Sequence, residues 1–487
     1  MNRWRIFFVI AALVLVCCVG AFFLFQRPYD RGDADARLRR AGEGLDEYTV
    51  DAALRPEDGT LTVTETIRYE NRTGGPLSEL VLRTYAGAYA AEETSPAATT
   101  ELFDLCYGDT FSPGDIALYG VWWNGMAVDA AFTDAQRTVL SVPAALAPGE
   151  TGELRLNFVL TIPACAHRFG VWEGVYRFGN VLPTLALFEN GAWRTDEYVS
   201  IGEPFVSACA NWRVSLTAPE GYTALASAPL KRENGRLTGT LTAARDFAFA
   251  VSDQWKTATG TAKGVSLTAA ARTDKAARAA LTYLARATDT LTDLYGDAPY
   301  AALSLCEAEL PFDAAYPGLL FVQADGFKEE SGLELLIAHE TAHQWFYALV
   351  GSDQFMNPWQ DEALAEWATL RYAYRRYGQD SMEALRRYRV EEPMRENIGQ
   401  TVTPGSPLSY FPDLTTYEAV VAGRGAALLV ALDEMTGGQV DGFLKSYCGE
   451  FAFALASRGD FERALNAYAG LDLSPLITDY LDTYMVN

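Results

Sequence analysis

The chain has 487 residues, 49% hydrophobic and 12% aromatic, which suits two or three globular domains and excludes a disordered polymer. With 39 basic against 63 acidic residues the formal charge is −24. Phosphates would repel such a surface, so a nucleic-acid partner is excluded, as is a basic membrane-binding patch.

Arg3 and Arg5 precede an almost unbroken apolar run of 20 residues from Ile6 to Phe25, closed by Gln26, Arg27 and Pro28. That length matches the roughly 30 Å hydrocarbon core of a bilayer. No small-x-small cleavage site follows it. Residues 1–28 are therefore expected to be a transmembrane signal anchor. Asp30, Asp33 and Asp35 follow the run, so the body is expected on the extracytoplasmic side of the cell membrane. Residues 29–45 are charged, short of large apolar side chains, and read as a tether. Beyond the run, Cys106, Cys165, Cys209, Cys306 and Cys448 show no metal-ligand spacing. Buried free thiols are expected rather than a disulfide framework.

Strand signals come next. Leu61, Val63, Ile67 and Tyr69 alternate with polar residues, and Asn71 to Pro76 is a turn. Leu154, Leu156, Phe158 and Leu160 alternate again, as do Trp212, Val214 and Leu216, then Phe247, Phe249 and Val251. Period-two alternation between Gly, Pro and Asn clusters predicts an antiparallel β domain over 46–253.

The period then changes. Ala277, Leu281, Leu284, Thr288, Leu291 and Tyr295 recur at three- and four-residue steps. Thr273 or Asp274 can cap that helix and Gly296 can stop it. Most of 254–487 reads as helical, with a proline-rich loop from Thr403 to Pro412.

This part carries His339-Glu340-Thr341-Ala342-His343. Four residues turn a helix by about 400°, so the two imidazoles project from one face and can share a tetrahedral zinc. Glu340 lies about 100° round, placed to accept the proton of a water attacking a carbonyl. The chain holds three histidines, so a chance pairing is a poor explanation. Catalytic zinc keeps three protein ligands and one open position. Glu362, separated from His343 by 18 residues and just inside a helix opened by Pro358, is the candidate third ligand. Glu366, one turn further, can hold a ligand imidazole or stand as a surface charge. His167 reads as structural, and Trp345, Trp359 and Trp367 as core packing around the zinc helices.

The His-Glu-x-x-His motif, the 18-residue spacing and the flanking Gln344-Trp345 and Trp359-Gln360-Asp361-Glu362 resemble the gluzincin aminopeptidases, the membrane alanyl aminopeptidase and leukotriene-A4 hydrolase group. The resemblance implies an α+β multidomain chain. An antiparallel β-sandwich-like domain would precede a mostly helical, thermolysin-like zinc peptidase domain with one Zn²⁺. Two positions depart from it. Members of that group carry a Gly-x-Met-Glu segment whose glutamate holds the substrate's amino group. Here the matching stretch is Phe312 to Gly318, with Ala315 at the glutamate position and Asp313 nearby. They also carry an oxyanion-stabilising tyrosine two residues before Lys-Gly or Arg-Gly. Here Ala422 stands before Arg424-Gly425, and Tyr417 is the candidate substitute.

The expectation is a membrane-anchored zinc metallopeptidase acting on peptides, aminopeptidase-like with an endopeptidase left open. Its metal set would be His339, His343 and Glu362, with Glu340 and Tyr417 catalytic. Ala315 and Ala422 motivate the alternative, a catalytically weak zinc-binding interaction or sensory module on a peptidase scaffold.

Overall fold

A computed structural model of the chain describes residues 29–98, 102–328, 330–396 and 401–484. Its first large element is an eight-stranded sheet in the order Lys231–Glu233, Arg236–Ala244, Ala210–Thr217, Glu47–Arg55, Thr60–Glu70, Thr151–Thr161, Asp115–Trp123 and Met126–Ala127. Every neighbouring pair is antiparallel except Glu47–Arg55 with Ala210–Thr217. Alternation explains the pairing. Leu61, Val63 and Ile67 are buried and pair with Leu160, Phe158 and Leu154 of the neighbouring strand, side by side on the core face of one sheet. Two four-stranded sheets and a two-stranded one, Phe188–Glu189 with Ala192–Trp193, complete this β-rich part.

A five-stranded sheet follows, in the order Lys256–Ala262, Val265–Ala271, Ala302–Ala308, Leu319–Gln323 and Ala314–Tyr316. The sequence reading took this region as helical. Leu319 to Val322 is covered on both faces, so it forms a continuous apolar run without the alternation that marks a half-exposed strand. Helix Asp274–Tyr295 crosses between two of these strands, its start capped by the Thr273 hydroxyl accepting from the Ala276 N–H at 3.1 Å. The remainder is helical.

The stretch read as a tether contains helix Gly32–Ala41. It packs at the junction of the two parts. Arg31 is buried and donates to the Ala298 carbonyl at 2.8 Å, and Asn211 donates to the Gly42 carbonyl at 2.8 Å. The expected anchor, 1–28, lies outside the described residues. Among the described residues no helix is long and apolar enough to cross a membrane, which corrects the expected membrane location. The longest, Asp274–Tyr295, carries charged side chains along its whole length, among them Arg278, Arg286, Asp289 and Asp293. Cys106, Cys165, Cys209, Cys306 and Cys448 are free and buried.

Glu65 and Asp246 form an acidic pair deep in the β-rich part. Glu65 is fully enclosed and neither of its oxygens has a hydrogen-bond partner. Burial, then Asp246, pushes its carboxyl well above the usual range. Burial lifts Asp246 to about 7, although the Phe247 N–H and Asn180 donate to it. A carboxyl raised in the folded state binds its proton more tightly there than in the unfolded chain. Its contribution to stability is complete below about pH 4 and is lost as pH rises towards 7. Asp246→Asn is therefore expected to gain stability relative to the parent as pH rises from about 4 to 7, by a few kcal/mol in all. Denaturant unfolding of both proteins across that range checks it, and a pH-independent difference would refute the assignment.

Candidate metal centre

Helix Glu330–Ala342 and helix Trp359–Tyr377 cross at the base of a cleft between the β-rich and helical parts. The first is pinned by apolar contacts, with Leu333, Ile337 and Ala342 buried in the core shared with Trp345 and Trp359. It closes at Ala342, one residue short of His343. A tightened last turn, with the Gln344 N–H on the Thr341 carbonyl at 3.0 Å, still carries His343 beneath His339. The ring centroids are 5.1 Å apart. The second helix begins after Pro358, and Glu362 sits in its first turn.

His339 Nε2 lies 3.4 Å from one Glu362 oxygen, and His343 Nε2 lies 3.8 Å from the other. Tetrahedral bonds of about 2.1 Å place ligand atoms roughly 3.4 Å apart, so the three groups fit a zinc ion. Ligand atoms of His339, Glu340 and His343 also fall within 4.8 Å of one another. Glu362 thus stands at ligand spacing from both imidazoles, with Glu340 alongside.

The electrostatics fit a cation. Burial alone would lower the proton affinity of His339, but the Glu362 and Glu366 carboxylates close beside it outweigh burial and lift the imidazole to about 10. Burial would raise Glu362, yet His339 and His343 hold it down at about 2. Burial pushes Glu340 well up. Carboxylates packed this closely need a positive charge among them.

Other side chains fix these groups. Glu366 Oε2 is 3.4 Å from His339 Nδ1, and His343 Nδ1 is 3.2 Å from the Phe346 carbonyl, so each imidazole has a partner behind it. Trp345, Trp359 and Trp367 are core residues, with Trp345 Nε1 donating to the Gly296 carbonyl at 2.9 Å. His167 lies outside the cleft lining, buried, with its Nδ1 2.5 Å from the Tyr89 hydroxyl.

The cleft holds about 560 Å³. Tyr417 lines it, and no described residue hydrogen-bonds its hydroxyl. The ring packs edge-on against Phe411, with centroids 5.6 Å apart. On its other side the β-rich part approaches through Gly202, whose φ is +68°. A Cβ there would meet the Tyr417 ring at 3.0 Å, so both the backbone conformation and the space call for glycine. Ala422 lines the cleft at the expected tyrosine position. Ala315 is instead packed in the core beside Leu320 and Val322. Asp313 faces the cleft, its carboxylate accepting from the Gln323 N–H at 2.8 Å and Gln323 Nε2 at 3.1 Å.

Sequence reasoning missed three groups. Arg168 and Glu203 pair at 2.7 Å on the β-rich wall, and Gln354 links Glu203 to Asp361 beside Glu362. Arg389 pairs with Glu366 at 2.7 Å. No local pattern marks any of them, since each partner lies on a different element.

Two imidazoles on one helix, a carboxylate from the next at tetrahedral spacing and a glutamate alongside define a centre of the zinc-metallopeptidase class. Residues 318–480 match the Peptidase family M1 domain, and within them His339, Glu340 and His343 form a His-Glu-x-x-His zinc-binding site. Leukotriene A-4 hydrolase of Xenopus laevis is 29% identical over 163 residues, 31% of this chain and 26% of that protein. Aminopeptidase N of Lactobacillus delbrueckii subsp. lactis is 23% identical over 369 residues, 69% of this chain and 43% of that protein. The matches thus span less than half the length of these curated relatives. The solved M1 zinc metallopeptidase of Deinococcus radiodurans superposes with a TM-score of 0.62 at 18% identity, over 91% of this chain and 94% of that one. A variant of it solved with a Tyr-Ser-Ala substrate gives 0.63 at 18% identity, over 92% and 96%. The fold is thus the multidomain α+β arrangement of that metallopeptidase, β-rich first and helical last.

Proposed function

We propose that this chain is a zinc metallopeptidase that hydrolyses peptide bonds in an aminopeptidase-like manner. The observation that carries the reading is three ligand atoms at tetrahedral spacing, with Glu340 beside them, at the floor of an open cleft. Zinc held by His339, His343 and Glu362 would supply a Lewis acid, acidifying water and polarising a carbonyl. Glu340 takes the water's proton and delivers it to the departing amine. The free Tyr417 hydroxyl donates to the oxygen on which negative charge develops. Glu366 and the Phe346 carbonyl hold the imidazole rings in place.

Asp313 takes the amine-anchoring role that Ala315 cannot. Its carboxylate lies in the cleft wall, and both Gln323 contacts orient it. One peptide with a free amino terminus and its acetylated twin test this. The parent is expected to cleave the free peptide at least tenfold faster, the order lost when one charge-assisted contact goes. Asp313→Asn is expected to erase the difference by raising KM for the free peptide alone. Equal cleavage of both peptides by the parent would instead mean an endopeptidase.

Ala422 at the expected tyrosine position favours a second reading, a zinc-binding module of weak activity. Stoichiometric zinc without cleavage of either peptide would select it.

A further inference from the structure

The helix after the metal centre is interrupted. Between Gln379–Arg386 and Glu392–Glu396 the chain makes a π-type turn, Arg387–Glu391. Such turns carry an extra residue and re-aim the side chains around them, often at functional sites. Here Val390 is buried against Leu370 and Ala426, Tyr388 is exposed, and Arg389 reaches the zinc side of the cleft. Tyr388, Arg389 and Glu392 form one cleft wall.

Arg389 Nη2 lies 2.7 Å from Glu366 Oε2, and that same oxygen lies 3.4 Å from His339 Nδ1. Glu366 is 1% exposed, and neither of its oxygens accepts a well-aligned hydrogen bond from a described residue. The Arg389 contact is thus a close ion pair, and it fixes the position of this enclosed side chain between Arg389 and His339. Without Arg389 the Glu366 side chain loses the contact that holds it against His339 Nδ1, where the Thr369 hydroxyl, at 3.5 Å, is the other neighbour.

We propose that Arg389 is a positioning residue of the metal centre, acting through Glu366 to set the orientation of His339 and so tying this cleft wall to metal retention. The inference rests on the zinc reading above. Partners behind ligand imidazoles typically change metal affinity by about 10- to 100-fold.

The test is zinc affinity, measured on the full chain by competition with a chelating dye, for the parent, R389A, R389K, E366Q and R389A/E366Q. Peptide kcat and KM and the zinc-free unfolding temperature are measured alongside. R389A is expected to bind zinc about 10- to 100-fold more weakly, with kcat falling more than KM changes and the zinc-free unfolding temperature unmoved. R389K keeps the charge and should recover most of the affinity. In the E366Q background, R389A should change nothing further, because the carboxylate it acts through is gone. Parent-like zinc affinity in R389A, or an equal loss with and without E366Q, would overturn the proposal. Should R389A fail to fold, R389K beside E366Q still decides, since unchanged affinity in E366Q removes the link. A parent chain without stoichiometric zinc would instead overturn the metal reading itself.

Discussion

Glu340→Gln is expected to lower kcat by about a hundred- to ten-thousandfold, the usual contribution of a general base, while one zinc per chain is retained. Glutamine has the size and shape of glutamate but no oxygen able to take up a proton at neutral pH. The ligand atoms of His339, His343 and Glu362 come from neighbouring residues and keep their 3.4 Å and 3.8 Å spacing. Burial that raises the proton affinity of Glu340 also means the amide replaces a group whose ionised form is poorly solvated. The zinc-loaded variant should therefore fold at least as stably as the parent. Metal analysis, kcat and thermal unfolding on one preparation check all three statements. Parent-like turnover would remove Glu340 from the mechanism, and loss of zinc would make it a ligand.

Tyr417→Phe is expected to cost about a hundred- to a thousandfold in kcat, the range for removing one oxyanion donor, with KM and stability nearly unchanged. The reasoning rests on what the ring does apart from its hydroxyl. Its packing against Phe411 and over Gly202 is retained by phenylalanine. Among the described residues the hydroxyl has no hydrogen-bond partner, so its removal breaks no hydrogen bond with them. A purely packing tyrosine would tolerate the change. Tyr388→Phe is the comparison, because Tyr388 also lines the cleft but is 70% exposed. If Tyr388→Phe loses the rate and Tyr417→Phe does not, the donor belongs to the wall that carries Arg389.

Local periodicity decided a good deal before any tertiary structure. A four-residue step on a helix is enough to stack His339 over His343, and a proline followed by Glu362 is enough to start a second helix with a carboxylate at its mouth. Alternation likewise exposes strands such as Thr60–Glu70, because one face meets the core and the other does not. Where both faces are covered the signal vanishes, which is why Leu319–Gln323 read as part of a helical region. Helix Gly32–Ala41 was hidden for another reason, its stability coming from contacts with Ala298 and Asn211 rather than from its own residues.

Charge partners and cleft assignments belong to the tertiary structure alone. Resemblance drew attention to Ala315, yet the strand Ala314–Tyr316 turns it into the core, while Asp313, just before that strand, lines the cleft. Nothing in the spacing of Arg168 and Glu203, or of Glu366 and Arg389, announces an ion pair at 2.7 Å. The metal motif was legible because its geometry is set by backbone hydrogen bonds over a few residues. The residues that aim, neutralise and wall it are brought together by packing between elements far apart in the chain, and that packing depends on the whole core.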